Sequence, residues 1–248
     1  MKRITKTTTI LLPVMFITLS WAQPEFTASQ ILERVDSVVN APQDQTMNMK
    51  LILFDKNGNE REREIVMYQK GGDKRMGKIL APADQRGIAF LSLPGGVMYV
   101  YLPAFKKTRR IASHVKNTKF AGTDFTYEDM EAGAYGIKYV PEILKHEGSD
   151  HVLKLTPRPE IQSEYSMLKL WVDEKTFVPT KIEHYDKGKK LCKLMTRDKI
   201  EETSGYWLAR ESEMSDLRNG QKTKMIIQDV QFNQGLADDL FTERHLER

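Results

Sequence analysis

The sequence predicts a mainly β protein with a few helices (α+β), in which one long antiparallel sheet curls around the helices. Short segments of alternating apolar and polar residues follow one another after residue 44. Turn dipeptides such as Asn57-Gly58, Gly95-Gly96 and Asn219-Gly220 separate them, and such turns favour hairpins. Parallel strands would need long, usually helical crossovers, and the sequence has none between these segments. A sheet this long must curl or close to bury a face.

Residues 1–22 predict a cleavable secretory signal peptide. Three cations precede an apolar core at residues 10–19, and small residues lead up to a cleavage point after Ala22. The apolar core is shorter than the ~20 residues that a membrane-spanning helix needs. We therefore expect export to the periplasm of a Gram-negative bacterium. The mature chain, residues 23–248, is expected to form a single domain.

The composition argues against several classes of partner. The formal net charge of +4 includes three signal-peptide cations, so the mature chain carries 4 − 3 = +1, which gives no argument for nucleic-acid binding. Cys192 is the only cysteine, so no intramolecular disulfide can form. No segment after the signal peptide has 18 consecutive apolar residues. We expect a soluble monomer that makes transient contact with a membrane.

The segment after the signal peptide predicts an amphipathic helix. Thr27 or Ser29 can cap it, and Pro42 ends it, so it extends to about Asn40. Its apolar residues recur at helical spacing and form one face; they are Ile31, Leu32, Val35, Val38 and Val39.

Two further short helices are predicted, at residues 124–131 with Thr123 as the cap and near residues 236–241. Helices of this length are unstable alone, so each must pack on the sheet. The remaining periodic segments predict strands at roughly 45–54, 62–70, 74–81, 87–93, 97–102, 108–112, 137–144, 151–157, 166–172, 177–185, 190–199, 206–216 and 222–232.

Two motifs suggest ligand sites but fit structural roles better. Residues 72–78 have the spacing of a phosphate-binding loop, but Ile79 follows where Ser or Thr would bind magnesium, so we expect a hairpin. Residues 146–151 gather four groups that could bind a metal around one turn, in a spacing that fits no closed zinc site. We predict a solvated turn, no metal and no cofactor. No nucleophile-elbow pattern supports triad chemistry.

A strongly charged stretch follows the fifth predicted strand. Residues 102–119 contain six cations and no acid, and residues 123–131 then contain four acids. These charges suit an electrostatic docking edge or contacts to anionic lipid head groups. The alternative is a solvated edge strand that its lysines protect from aggregation, followed by an acidic helix start. We predict Arg109, Arg110 and Asp124 as head-group or partner contacts.

Methionines and aromatic residues are frequent in the predicted strands. Flexible thioethers beside aromatic rings suit a cavity that adapts to chains of varying shape, although ordinary core packing is the alternative for each residue. Because side chains alternate along a strand, about half of any set chosen for apolar character should face away. The predicted lipid-binding cavity residues are Phe90, Leu91, Leu93, Met98, Tyr99, Tyr101, Met167, Leu170 and Trp171.

Two sequence features resemble a known family. Tyr101-Leu102-Pro103 is followed by a basic strand and then by residues 122–129, which read GTDFTYED. This order resembles the signature of the LolA-like outer-membrane lipoprotein-sorting proteins, and more specifically the branch found with RND or MMPL-type exporters. The resemblance covers most of the mature chain. It implies an open half-barrel of about eleven antiparallel strands, covered inside by helices, with an apolar cavity that accepts acyl chains.

These observations favour binding over catalysis. We expect a periplasmic carrier or chaperone that holds the acyl chains of lipids or lipoproteins and passes them towards the outer membrane, together with an inner-membrane exporter. One alternative is a periplasmic lipid or lipoprotein sensor that regulates envelope stress. Another is a lipid hydrolase that uses carboxylates such as Asp124 and Glu128.

Overall fold

The computed structural model describes residues 26–247, and the predicted signal peptide at residues 1–22 lies outside them. Within the described residues, thirteen strands form one antiparallel sheet, which confirms the predicted fold class. The strands are β1 (Asp44–Phe54), β2 (Glu60–Lys70), β3 (Lys74–Ala81), β4 (Ala89–Leu93), β5 (Val97–Leu102), β6 (Lys107–Arg110), β7 (Tyr139–Glu147), β8 (Asp150–Pro157), β9 (Tyr165–Asp173), β10 (Pro179–Asp186), β11 (Leu191–Thr203), β12 (Tyr206–Asp216) and β13 (Gln221–Phe232).

These are the thirteen strands that alternation and turn residues predict, with boundaries that differ by at most four residues. The count of about eleven that the family resemblance implies is too low. The largest difference is at the end of β11, which pairs with β12 as far as Thr203 opposite Tyr206. Gly205 makes this tight turn with a φ of +83°, a conformation that glycine adopts without strain. Residues 72–78 lead into β3 in a hairpin with β2, as predicted.

The strand order is β6-β5-β4-β3-β2-β1-β13-β12-β11-β10-β9-β8-β7. The chain therefore enters the sheet in its middle and proceeds strand by strand to one edge at β6. It then crosses to the opposite edge at β7 and returns strand by strand until β13 pairs with β1, where Gln45 lies opposite Phe232. Residues 111–138, which we call the crossing segment, make this passage over one face of the sheet. We call that face the inner face.

The N-terminal helix α1 (Ala28–Val39) covers part of the inner face, as the sequence predicts. Thr27 caps it in a capping box. The backbone N–H of Gln30 donates to Thr27 Oγ1 at 3.3 Å, and the backbone N–H of Thr27 donates to the side-chain Oε1 of Gln30 at 2.9 Å. The apolar stripe of α1 buries Ile31, Leu32 and Val35 against the sheet. The helix therefore lies at the half of the sheet built from β7 to β12.

The helix predicted at residues 124–131 is shorter and starts later. The structure has α2 (Tyr127–Met130), capped by Thr126, whose Oγ1 accepts the Asp129 amide N–H at 3.3 Å. Thr123 does not cap a helix, because its hydroxyl donates to the Phe120 carbonyl oxygen at 2.8 Å and closes a tight loop. A further turn, α3 (Tyr135–Lys138), was not predicted.

The C-terminal segment packs on the outer face of the sheet. The helix predicted near residues 236–241 is a 3-10 turn at Asp238–Phe241, followed by α4 (Glu243–Leu246). Phe241 and Leu246 are buried against Met76 and Leu91 of β3 and β4. The sheet is thus apolar on both faces in this region. None of the helices between residues 26 and 247 is long and apolar enough to cross a membrane.

Gly77 gives a direct test of packing beneath the crossing segment. It lies opposite Phe90 in the ladder between β3 and β4, and a Cβ at this position would overlap Cε1 of Phe90. The Phe90 ring is fully buried and packs edge-on against Phe120, with ring centroids 5.2 Å apart, so it has no room to move. We expect Gly77→Ala to lower the free energy of unfolding by about 1–3 kcal/mol through overpacking, measured by urea denaturation.

The matched control is Gly188→Ala, in an exposed turn where the added Cβ would meet only the Asp186 carboxylate at 3.2 Å. This change should alter the free energy of unfolding by less than ~0.5 kcal/mol. Equal effects of the two substitutions would contradict the proposed packing.

Candidate functional site

A cavity of about 330 Å³ lies on the inner face, between the sheet, the end of α1 and the crossing segment. Its volume falls within the range of small-molecule sites, roughly 300–1,000 Å³. Its walls come from both halves of the sheet, since Met67 of β2 and Ile182 of β10 both line it. The sheet must therefore curl around this space. Trp207, which is 38% exposed, also lines the cavity, so the space reaches the surface near the start of β12.

Methionines are the dominant apolar residues of the wall. Side-chain alternation places Met47, Met49 and Leu51 of β1 on the inner face, next to Met225 and Ile227 of β13. Each methionine has three rotatable bonds and a polarisable sulfur, so such a wall can adapt to apolar chains of different shape. The seven methionines that line the cavity are Met47, Met49, Met67, Met130, Met195, Met214 and Met225.

A buried ion pair holds the crossing segment beside the cavity. The Asp129 carboxylate accepts hydrogen bonds from Lys193 Nζ at 2.6 Å and from the Tyr165 hydroxyl at 2.7 Å. Burial alone would raise the pKa of Asp129, but the charges of Lys193 and His184 and two hydrogen bonds outweigh this and lower the pKa to about 2. Asp129 is therefore ionised at neutral pH.

His184 completes this cluster as a neutral side chain. Its Nε2 lies 3.9 Å from Asp129 Oδ1, and its ring centroid lies 4.8 Å from that of Tyr165. Burial lowers the pKa of His184 to about 4 despite the nearby carboxylate. The single buried negative charge of Asp129 is thus balanced by Lys193 at neutral pH.

The other acidic residues that line the cavity are also engaged. Glu131 binds Lys116 Nζ at 2.7 Å and Lys138 Nζ at 3.1 Å, and the two ammonium groups lower the pKa of Glu131 although burial opposes them. Glu128 accepts hydrogen bonds from the Ser163 hydroxyl and the Glu164 backbone N–H, while burial raises the pKa of Glu128.

Asp36, at the C-terminal half of α1, ties that helix to the crossing segment. Its carboxylate accepts the backbone N–H groups of Tyr135 at 2.7 Å and Gly136 at 2.8 Å. Burial raises the pKa of Asp36 in spite of these bonds. The acidic residues around the cavity therefore serve mainly to fix the segment that covers it.

Two arginines from opposite halves of the sheet also line the cavity. Arg75 of β3 donates from Nε and Nη2 to Gln69 Oε1, at 3.2 and 2.9 Å, and from Nη1 to the Met130 carbonyl oxygen at 3.3 Å. Arg197 of β11 lines the same cavity. Burial lowers the pKa of Arg75; Tyr135 opposes this shift and the charge of Arg197 adds to it.

None of the nine residues predicted as cavity walls lines this cavity. Phe90, Met98 and Leu170 do face inward, but they are fully buried, the first two in the core beneath the crossing segment and Leu170 in the core beneath α1. The other six lie on the outer face. Leu91, Leu93, Tyr99 and Tyr101 pack in the cluster formed with the C-terminal segment, and Met167 and Trp171 lie on the outer face of β9.

The wall residues were missed because apolar density along a strand does not reveal which face is lined by a cavity. The β4–β5 hairpin is apolar on both faces, since the C-terminal segment covers its outer side. The strand methionines were the sequence feature that best indicated the cavity wall. Six of the nine strand methionines within residues 26–247 line the cavity, whereas Met76, Met98 and Met167 do not.

The predicted head-group contacts divide into two groups. Arg109 and Arg110 are exposed on the edge strand β6, opposite Val100 and Tyr99 of β5. Asp124, by contrast, is only 2% exposed. Its carboxylate binds Lys119 Nζ at 2.6 Å and accepts the Thr223 hydroxyl at 2.8 Å, so it anchors the crossing segment and is unavailable as a surface contact.

The histidine-containing turn and the carboxylates considered for hydrolysis have structural roles. The His146 and His151 rings meet edge-on across the β7–β8 hairpin, with centroids 4.4 Å apart. Within residues 26–247, no group of three or more His, Cys, Asp or Glu side chains is arranged to hold a metal. Asp124 and Glu128, the carboxylates considered for hydrolysis, each have the structural partners described above.

Comparison with known proteins agrees with this architecture. A family model described as "uncharacterized protein" matches residues 71–248. No curated protein matches the sequence. The structure of a DUF1329 family protein from Desulfovibrio piger has a TM-score of 0.83 and 24% identity, over 88% of this chain and 97% of that chain.

Two further structures extend the comparison. An outer membrane lipoprotein-sorting protein domain from Vibrio parahaemolyticus has a TM-score of 0.78 and 28% identity, over 88% of this chain and 98% of that chain. A LolA superfamily protein from Nitrosomonas europaea has a TM-score of 0.76 and 22% identity, over 89% of this chain and all of that chain. The chain therefore belongs to the family that this model describes, and its fold is that of the LolA-like outer-membrane lipoprotein-sorting proteins.

Proposed function

We propose that this protein is a periplasmic carrier that shelters the acyl chains of a lipid or lipoprotein in its cavity and passes them towards the outer membrane. The observation that carries the proposal is the methionine-lined cavity on the inner face. In this proposal residues 1–22 are removed on export, residues 23–248 act as one domain, and an RND or MMPL-type exporter in the inner membrane supplies the cargo.

The energy of such binding comes from burial of apolar surface. Each lipid methylene removed from water contributes roughly 0.8 kcal/mol, so a chain of about 15 methylenes gains on the order of 12 kcal/mol before the losses of association. An apolar wall therefore suffices for tight binding. Transfer in this scheme needs no covalent step, which fits the structural roles of the carboxylates around the cavity.

The exposed basic edge suits contact with a partner or a membrane surface. Arg109 and Arg110 are joined there by Lys106, Lys107 and Phe105, whose ring is 64% exposed. An aromatic ring beside several cations favours contact with anionic head groups. We propose that this edge docks on the exporter or the bilayer while the cargo moves.

Native mass spectrometry of protein purified from its own periplasm tests the carrier function. We expect bound lipid that can be extracted and identified, and uptake of a fluorescent fatty acid by the delipidated protein. Repeated recovery of ligand-free protein that also takes up no fatty acid would contradict the proposed carrier function.

A charge placed on the cavity wall should block uptake without unfolding the protein. Met225 is half-buried on the inner face and lines the cavity. In Met225→Lys, an acyl chain would have to displace water from an ammonium group, which costs several kcal/mol. We expect fatty-acid affinity to fall by at least about 100-fold in a fluorescence titration.

Met167→Lys is the matched control. Met167 is also a half-buried strand methionine, but it lies on the outer face of β9. The control should retain the affinity of the unmodified protein. Equal losses in the two variants, with circular dichroism unchanged, would show that ligand does not occupy the cavity described here.

A further inference from the structure

Two positive charges at the cavity lack an acidic partner. The three hydrogen bonds from Arg75 go to neutral oxygens, those of the Gln69 side chain and the Met130 backbone. Arg197 is half-buried at the same cavity and makes no ion pair with a carboxylate within residues 26–247. Withdrawing a cation from water without a counter-charge is costly, and placing a second cation beside it adds repulsion.

The acidic residues at the cavity do not relieve this imbalance, because each has other partners. Asp129 binds Lys193, and Glu131 binds Lys116 and Lys138. Asp36 and Glu128 accept hydrogen bonds from backbone N–H groups and from a serine hydroxyl. Burial also raises the pKa of both Asp36 and Glu128, which weakens their tendency to carry charge. The arginine pair is therefore the uncompensated part of the cavity.

We propose that Arg75 and Arg197 bind the anionic group of the cargo, so that the cavity selects amphiphiles with a carboxylate or phosphate at the head of an acyl chain. Guanidinium groups match the geometry of both anions and form charge-assisted hydrogen bonds with them. The methionine wall takes the chain beside this head group. This inference rests on the proposed carrier function and specifies which head group the cargo carries.

The positions of Arg75 and Arg197 suit a clamp, in which both side chains bind the same anion. Arg75 comes from β3 and Arg197 from β11, with four strands between them in the sheet. Both nevertheless line the same cavity, because the sheet curls around it. An anion bound to both would join the two halves of the sheet and would supply the counter-charge that both arginines lack.

Three ligands with the same C18 chain test the proposal: oleyl alcohol, oleate and oleyl phosphate. Protein expressed from the full chain, purified and delipidated, is titrated with each below its critical micelle concentration, and Trp207 fluorescence at the cavity reports binding. We expect both anions to bind at least about tenfold more tightly than the alcohol, a factor typical of one charge-assisted contact. The tighter of the two anions identifies the head-group chemistry.

Arg75→Gln combined with Arg197→Gln should reduce the affinity for the anions to that for the alcohol, which stays unchanged. Arg75→Lys with Arg197→Lys keeps the charge and should restore part of the preference. Arg61→Gln with Arg244→Gln removes the same charge from exposed positions outside the cavity lining and should change no affinity. Thermal melting of each variant checks that the fold is intact.

The outcomes separate the two proposals. Equal binding of alcohol and anions, unaffected by the glutamine substitutions, would overturn the head-group proposal while the carrier function stands. Absence of binding by all three ligands would overturn both. A preference for anions that survives the glutamine substitutions at Arg75 and Arg197 would place anion binding elsewhere and would also overturn the clamp.

Discussion

Replacing Asp129 with asparagine should lower the free energy of unfolding by about 3–5 kcal/mol, because it leaves a buried ammonium group without a counter-charge. Lys193 is 1% exposed and Asp129 is 3% exposed, so water cannot take over the lost interaction. The amide would also weaken the hydrogen bonds that the carboxylate accepts from Tyr165 and from the Thr126 backbone. Urea denaturation followed by circular dichroism measures the loss.

A surface ion pair provides the control. Glu142 binds Lys154 Nζ at 2.9 Å, but the two side chains are 62% and 36% exposed. Glu142→Gln should therefore cost less than ~1 kcal/mol. Adding Lys193→Met to Asp129→Asn should recover most of the stability, because the unbalanced charge is then gone. A loss below ~1 kcal/mol in Asp129→Asn alone would refute the buried pair.

The same pair predicts how stability depends on pH. The pKa of Asp129 is lowered in the folded protein to about 2 from its ordinary 3.8. A lowered carboxylate pKa contributes stability that is fully present above about pH 4 and is lost as the pH falls towards 2. The contribution is about 2 kcal/mol. Between pH 5 and 2, the free energy of unfolding measured by urea denaturation should therefore fall less steeply with decreasing pH for Asp129→Asn than for the unmodified protein.

Truncation of Phe120 to alanine should also cost about 3–5 kcal/mol. Phe120 is 1% exposed, and its ring packs edge-on against Phe90 and Tyr127, with centroids 5.2 and 5.9 Å away. Removing the ring therefore leaves a void beneath the crossing segment. Since Phe120 also lines the cavity, the void should join the cavity, and the variant should shift its preference towards bulkier acyl chains.

Phe105→Ala separates this effect from the loss of an aromatic ring as such. Phe105 is 64% exposed, so its truncation should change the free energy of unfolding by less than ~0.5 kcal/mol. Ligand preference should not change in this control. A Phe120→Ala protein as stable as the Phe105→Ala protein would mean that the crossing segment does not pack as described.

Much of the fold could be predicted from the sequence because its determinants are local. Alternation and two-residue turns specify each hairpin, and Thr27 with Gln30 specifies the start of α1. The crossing segment is different, since its structure depends on contacts far away in the sequence. Thr123 fails to cap a helix because its loop is held by Asp124, which bonds to Thr223 on β13.

The site was harder to predict for the same reason. Arg75 and Arg197 are 122 positions apart in the sequence, and nothing local indicates that they share one cavity. The strand methionines gave a partial signal because their chemistry suits an adaptable wall. The aromatic β4–β5 hairpin was a poor guide to the cavity wall, since four of its side chains pack against the C-terminal segment on the other face of the sheet.

The pairing of β1 with β13 has a consequence for biosynthesis. Every other pair in the sheet joins strands that are consecutive in the sequence, so it can form as soon as both have been made. Strand β1 must instead keep one edge unpaired until the final strand is synthesised, with Met49 and Leu51 on its apolar face. An open apolar edge invites pairing with other chains. The last strand to be made is therefore the one that removes this aggregation hazard.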